Sequence, residues 1–273
     1  MHVAHLSEIL TLVECPLLPG DTDTVRAALV AGQRHRVVVD TLCSPGDMRP
    51  FADPTLVVYT HADWDHCWGT AAFPGIPVIA HRAARERLQD AREAEELAQM
   101  CSQYPERFEG ARLVVPEITF DSQLEVDAGG VTLRLEHVPG HTLDSIWVYL
   151  PELEVLLAGD AAEDPFPSLG VPGSLRGWAR RLRQRSAQGV KQVVPAHGRV
   201  LGPGLLEQNA DYIEWLLEEG KAGLENGMSL PEIQDALPVE RFWKDAGQLS
   251  AYYRTTHRQN VAVAVAELQH EKK

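Results

Sequence analysis

The chain has 273 residues, 44% of them hydrophobic and 23% charged, with a formal net charge of -14 at pH 7. That apolar content supports one large domain, or a domain with an appendage, and excludes a disordered chain; the acidity, with no Lys/Arg run, argues against a nucleic-acid partner bound through its phosphates. Cys15, Cys43, Cys67 and Cys101 form no CxxC pair and read as free thiols of a reducing compartment, and no signal peptide or membrane-length apolar run is visible, so a cytoplasmic protein without membrane contact is expected.

Taken in chain order, short β-branched segments between turn residues predict strands at Ile9–Val13, Arg36–Asp40, Leu56–Thr60 and Val78–His81. An Ala-, Glu-, Arg- and Leu-rich stretch predicts one helix over Ala83–Tyr104. Strands follow at Val131–Val138, Ile146–Leu150, Val155–Ala158 and Val193–Ala196, with a helix over Leu175–Gln188 before the last of them. From Pro203 onward the strand pattern stops, and helices are predicted over Leu205–Glu225, Leu230–Ala236 and Gly247–Gln269, separated by Gly227 and Pro238. The expected organisation is a mixed domain over 1–203 with a helical extension over 204–273 packed on it.

Chemistry concentrates at strand ends. Thr60-His61-Ala62-Asp63-Trp64-Asp65-His66 follows the Leu56–Tyr59 segment, where loops usually hold sites. In an extended stretch residues two apart point the same way, so His61, Asp63 and Asp65 would converge, and a turn after Asp65 would swing His66 toward a second centre. Alone, this cluster also reads as an ordinary surface loop. Three further ligand-type residues sit at three further strand ends: His141 in Pro139-Gly140-His141-Thr142, Asp160 in Gly159-Asp160, and His197 in Pro195-Ala196-His197-Gly198.

Together these motifs resemble the metallo-β-lactamase superfamily, whose pattern is an HxHxDH loop, a His after a PGHT-like turn, a GD aspartate and a late His before Gly. The resemblance covers roughly residues 1–203 and includes the Val39-Asp40-Thr41 strand end. It implies an α+β fold, an αββα four-layer sandwich with a C-terminal helical extension. It further implies two metal ions: His61, Asp63 and His141 would hold one, Asp65, His66 and His197 the other, and Asp160 would bridge them.

The departure is Asp63, where the family usually has His. An aspartate still ligates through oxygen but hardens the site and makes it more negative, so zinc is expected first, with iron or manganese as alternatives. Two divalent ions and three carboxylates leave +1, against +2 for the common pattern, and a bound water is then less acidified. The resemblance implies a hydrolase in which a hydroxide shared by the metals attacks an ester, thioester, lactone or related small molecule, with Asp65 moving the proton; the PGHT and AHG motifs look most like the glyoxalase-II-like branch. A carboxylate in the metal loop also resembles the flavodiiron branch, giving a non-haem iron redox enzyme as the alternative, although the region after 203 lacks the strand–helix alternation of a flavin module. A third reading is a degenerate site that binds metal without turnover.

His2, His5, His35, His81, His137, His257 and His270 match no motif and read as surface or hydrogen-bonded core histidines. Cys67 reads as packing, Asp164 as a turn start, and Trp64 and Trp68 as a pocket mouth or a cap on the sheets. The Pro- and Gly-rich loop over 164–177 is expected to wall the substrate, with Arg176 and Trp178 as contacts, and Tyr252, Tyr253, His257 and Arg258 either reach the pocket or anchor the last helix. A homodimer through the helical extension is one arrangement that such a tail permits.

Overall fold

A computed structural model of the chain describes residues 1–243, 247 and 249–270. The first sheet holds β1 (His2–His5), β2 (Leu10–Pro16), β3 (Thr24–Ala31), β4 (Arg36–Val39), β5 (Leu56–Val58), β6 (Val78–His81) and β7 (Ile118–Phe120), side by side in chain order. Its first four strands pair antiparallel and β4 to β7 pair parallel. The second sheet has the order β12 (Gln192–Pro195), β11 (Val155–Gly159), β10 (Ile146–Leu150), β9 (Thr132–His137), β8 (Gln123–Asp127), antiparallel except for β11 with β12.

Most strands are buried on both faces, and their alternation sorts side chains between two apolar layers rather than between core and water. In β4, Val37 and Val39 point into the space between the sheets with Ala28, Val30 and Val58, against Leu133, Leu135, Val148 and Leu157 of the second sheet. Val38 faces the other way, with Val57, Tyr59 and Val78, onto Trp68, Leu88 and Phe108. A one-residue slip in register would exchange the two sets.

Outside the first sheet lie α1 (Trp64–Cys67), α2 (Arg82–Leu88) and α3 (Ala91–Gln103). The second sheet turns Trp147, Tyr149, Leu156 and Val193 onto α4 (Leu175–Ser186), α5 (Gly204–Glu225), α6 (Leu230–Ala236) and α7 (Ala251–His270). This is the expected αββα sandwich. The last three helices share one core with α4 and the second sheet, with Leu205, Ile213, Val261 and Val265 in the same cluster as Trp178. No helix among the described residues is long and apolar enough to cross a membrane.

Two helix expectations change. The predicted Ala83–Tyr104 helix is two, because Asp90 stops α2 and caps α3 by accepting the Arg92 N–H. The predicted Gly247–Gln269 helix forms as α7 from Ala251, and its position 248 lies outside the described residues.

Candidate metal centre

All seven predicted residues meet at one end of the sandwich, where the two sheets are stitched together. The Ile146 N–H donates to Thr60 O across the sheets at 2.8 Å, and buried Arg26 of β3 donates to Pro195 O at 2.7 Å and Gly198 O at 2.9 Å. Gly159 bends here with φ of +53°, and a Cβ on it would lie 2.6 Å from Thr60 Oγ1, so glycine is required where β11 delivers Asp160 beside the metal loop.

The loop itself departs from the extended path expected. Asp63 has extended backbone, but the chain then winds into α1, so Asp65 and His66 leave a helical turn rather than a strand. Asp63 sits at the N-cap yet makes no capping hydrogen bond with its side chain; the carboxylate turns inward. Its Oδ2 lies 3.2 Å from His141 Nε2 and 3.4 Å from His61 Nε2. On the other side, Asp65 Oδ2 lies 3.4 Å from His197 Nε2 and 3.7 Å from His66 Nε2. Between them Asp160 sends Oδ1 to within 3.4 Å of His66 Nε2, and Oδ2 to within 3.5 Å of His141 and His197 Nε2 and 3.8 Å of His61 Nε2.

The histidines are held from behind. His66 Nδ1 meets Asp40 Oδ2 at 2.9 Å, His141 Nδ1 meets Ser168 O at 3.0 Å, His197 Nδ1 meets Thr24 O at 2.7 Å, and His61 Nδ1 lies 3.1 Å from Thr60 Oγ1. Each therefore aims Nε2 at the centre, and among the described residues the buried Nε2 atoms of His61 and His66 and Oδ1 of Asp160 have no hydrogen-bond partner. Buried polar atoms without partners are rare and costly. Tetrahedral ligands at metal–nitrogen distances near 2.1 Å stand roughly 3.4 Å apart, within the 3.2 to 3.8 Å range seen here. Three His/Asp sets, His61–Asp63–His141, Asp65–His66–His197 and His61–His66–Asp160, could each hold an ion. The residues present fit bound metal ions.

Electrostatics follow from this crowding. Burial alone would raise the Asp63 and Asp160 carboxyls, but the histidines beside them outweigh it and hold both well below the usual carboxylate range. Burial would likewise lower His141, yet Asp63 and Asp160 push it up to about 10, and His66 and His197 are raised by Asp160 and Asp65.

Several residues here carried no sequence signal. Glu163, fully buried, stands with His141 and Asp160 in a further possible ligand set; burial first, then Asp160, push its carboxyl up to about 7. It accepts from Ser168 N–H and Tyr253 O–H. Asp144 accepts the Ala62 N–H at 2.8 Å and so fixes the loop between His61 and Asp63. Arg87 of α2 donates to Asp63 Oδ1 at 2.5 Å.

Other expectations divide. Asp164 is a brace, with Arg199 donating to its Oδ2 at 2.6 Å, and Cys67 is buried with its thiol toward Ala62 O. Trp68 is core. Trp178 is not a substrate contact: it is 1% exposed, donates to Ala161 O at 2.9 Å and lies under Gly140, whose added Cβ would stand 2.1 Å from its ring. Arg176 is exposed at the start of α4, and the loop instead lends Gly170, Val171 and Pro172 to a cavity of about 650 Å³ shared with His141 and Arg87. His257 anchors α7 through Tyr212 Oη and Leu237 O, whereas Tyr252 and Tyr253 line a smaller cavity beside His197.

Two helix-covered sheets with a His/Asp centre where their strand ends meet define a class of αββα metal-site proteins. The sequence pattern of the metallo-beta-lactamase superfamily matches residues 20–197, and the chain belongs to that superfamily. Its fold resembles a metallo-beta-lactamase family protein from Thermus thermophilus (20% identity, TM-score 0.71, 98% of this chain and 95% of that one). It also resembles a metallo-beta-lactamase from Pontibacter korlensis (22%, 0.59, covering 78% and 98%). Among curated proteins, a linear primary-alkylsulfatase of Pseudomonas sp. is 25% identical over 149 residues, half of this chain but only 28% of that enzyme's length.

Proposed function

We propose that this chain is a metal-dependent hydrolase with a binuclear centre, in which His61, Asp63 and His141 hold one ion, Asp65, His66 and His197 the other, and Asp160 both. The observation that carries this reading is the convergence of four imidazole Nε2 atoms and three carboxylates, with buried members that no hydrogen bond from the described residues satisfies. The three carboxylates keep iron and manganese beside zinc as candidates. Bound divalent ions would supply a nucleophilic water near neutral pH and positive charge for the oxygens of the transition state. Asp65 would take the proton of the attacking water and return it to the leaving group. His141 and Arg87 open onto the larger cavity, where Ala83, Leu143, Val171 and Pro172 offer apolar wall and Arg92 is paired with Asp90. That lining supports an ester, thioester or lactone with an apolar acyl or alkyl portion, in keeping with the glyoxalase-II-like motifs. The four unpaired cysteines support a cytoplasmic setting.

The test is a panel of acyl esters, thioesters, lactones and alkyl sulfates, assayed after loading with zinc, manganese or iron. Chelator-sensitive acyl hydrolysis is expected. Turnover of alkyl sulfates alone would move the substrate class, and inertness toward all of them with every metal would overturn the hydrolase reading.

Two further results follow. In the metal-free protein Asp63 and Asp160 push His141 up to about 10 against the effect of burial, and His66 and His197 are raised as well, whereas a metal takes the neutral imidazole. Zinc uptake at pH 7 should therefore release protons, and affinity should rise with pH. Calorimetry in buffers of different ionisation enthalpy reads this; heats independent of buffer would show the histidines to be neutral beforehand. Asp40→Asn, which removes the charge behind His66, should weaken zinc binding about 10- to 100-fold with little change in fold content, checked by competition with a chromogenic chelator.

A further inference from the structure

We propose that Arg87 is the positioning partner of Asp63, splitting its carboxylate so that one oxygen serves the metal and the other is neutralised; the pair then replaces the neutral imidazole usual at this place. This rests on the binuclear reading above.

The carboxylate is divided in the structure. Asp63 Oδ2 faces His61 and His141 Nε2, while Oδ1 points away and takes Arg87 Nη1 at 2.5 Å. A free carboxylate can turn or bind through both oxygens, whereas one held by a charge-assisted hydrogen bond presents a single donor in a fixed direction. Arg87 is itself held: its Nε donates to Glu93 Oε1 at 2.7 Å, and its Nη1 lies 3.8 Å from Asp144 Oδ1. Asp144 holds the Ala62 N–H, so one guanidinium ties together both sides of the His61–Asp63 segment.

The helix break makes this possible. Were α2 and α3 continuous, Arg87 and Glu93 would stand six residues apart on different faces; the turn at Asp90 folds Glu93 back onto Arg87. Without the guanidinium, Asp63, Glu93 and Asp144 would be neighbouring carboxylates lacking this shared cation.

The experiment is a titration with zinc alone, by calorimetry and chelator competition, on the full chain as wild type, Asp63→Ala, Arg87→Met, Arg87→Lys, Asp63→His and the double variant Asp63→His/Arg87→Met. Asp63→Ala identifies the zinc position that depends on residue 63. Arg87→Met should weaken that position about 10- to 100-fold and leave the other within about twofold. Arg87→Lys, which keeps the charge but not the fork, should recover part of the loss and covers the case in which Arg87→Met does not fold. In the Asp63→His background Arg87→Met should change zinc affinity less than about twofold, because an imidazole has no second oxygen to neutralise. Equal losses in both backgrounds would assign Arg87 to general support of the loop and overturn the inference, as would full affinity in Arg87→Met. Wild type that binds no zinc would overturn the reading of the site itself, and this inference with it.

Discussion

Asp160→Ala should lose both metal ions and nearly all hydrolysis, because Asp160 is, among the described residues, the one carboxylate whose oxygens approach all four imidazoles. Asp63 and Asp65 each face one side of the centre and their removal leaves the opposite set intact. Losing Asp160 instead deletes the anion lying between His66, His197, His61 and His141. Metal-centred stabilisation of charge is worth several kcal/mol, so the rate should fall by roughly a thousandfold or more. Activity and metal content measured together check this. A variant with two ions per chain and ordinary turnover would remove Asp160 from its central place.

The largest effect on stability is expected for Trp178→Ala. The indole fills the space under the Gly140 turn, donates to Ala161 O and packs with Leu175, Leu182 and Val261. Emptying such a site costs about 3–5 kcal/mol, a large part of the 5–15 kcal/mol that holds an ordinary domain together. Because the ring supports both the His141 turn and the start of the Asp160 loop, metal affinity should fall with it. Trp178→Phe gives up the hydrogen bond to the buried Ala161 carbonyl and part of the ring volume, so it should lose about 2–3 kcal/mol, less than Trp178→Ala. Urea unfolding measures both; a midpoint for Trp178→Ala within error of wild type would show that the site is not packed as described.

The seven converging His and Asp residues were legible because each occupies a recognisable turn at a strand end: the His61–His66 segment, Pro139–Thr142, Gly159–Asp160 and Pro195–Gly198. What supports them was not, because Asp144, Glu163 and Arg87 reach the centre only through tertiary contacts and stand among ordinary charged residues in the chain. Among the strands, β6 and β10 match their predicted limits, since β-branched or aromatic runs end there at turns. The β3 segment was missed because its Ala, Arg and Leu residues are buried on both faces and show no polar alternation, and β1 because it is a short, exposed edge. Trp178 was misread from the Pro and Gly before it; Leu175, Trp178, Ala179 and Leu182 repeat at helical spacing, which marks a buried face.

The most direct test of the binuclear centre is metal content per chain, by plasma mass spectrometry, on wild-type protein purified without added metal. Two divalent ions per chain, zinc foremost, are predicted. At most one ion per chain would contradict the account, because the seven side chains gathered around Asp160 would then not be two ligand sets joined by a bridge.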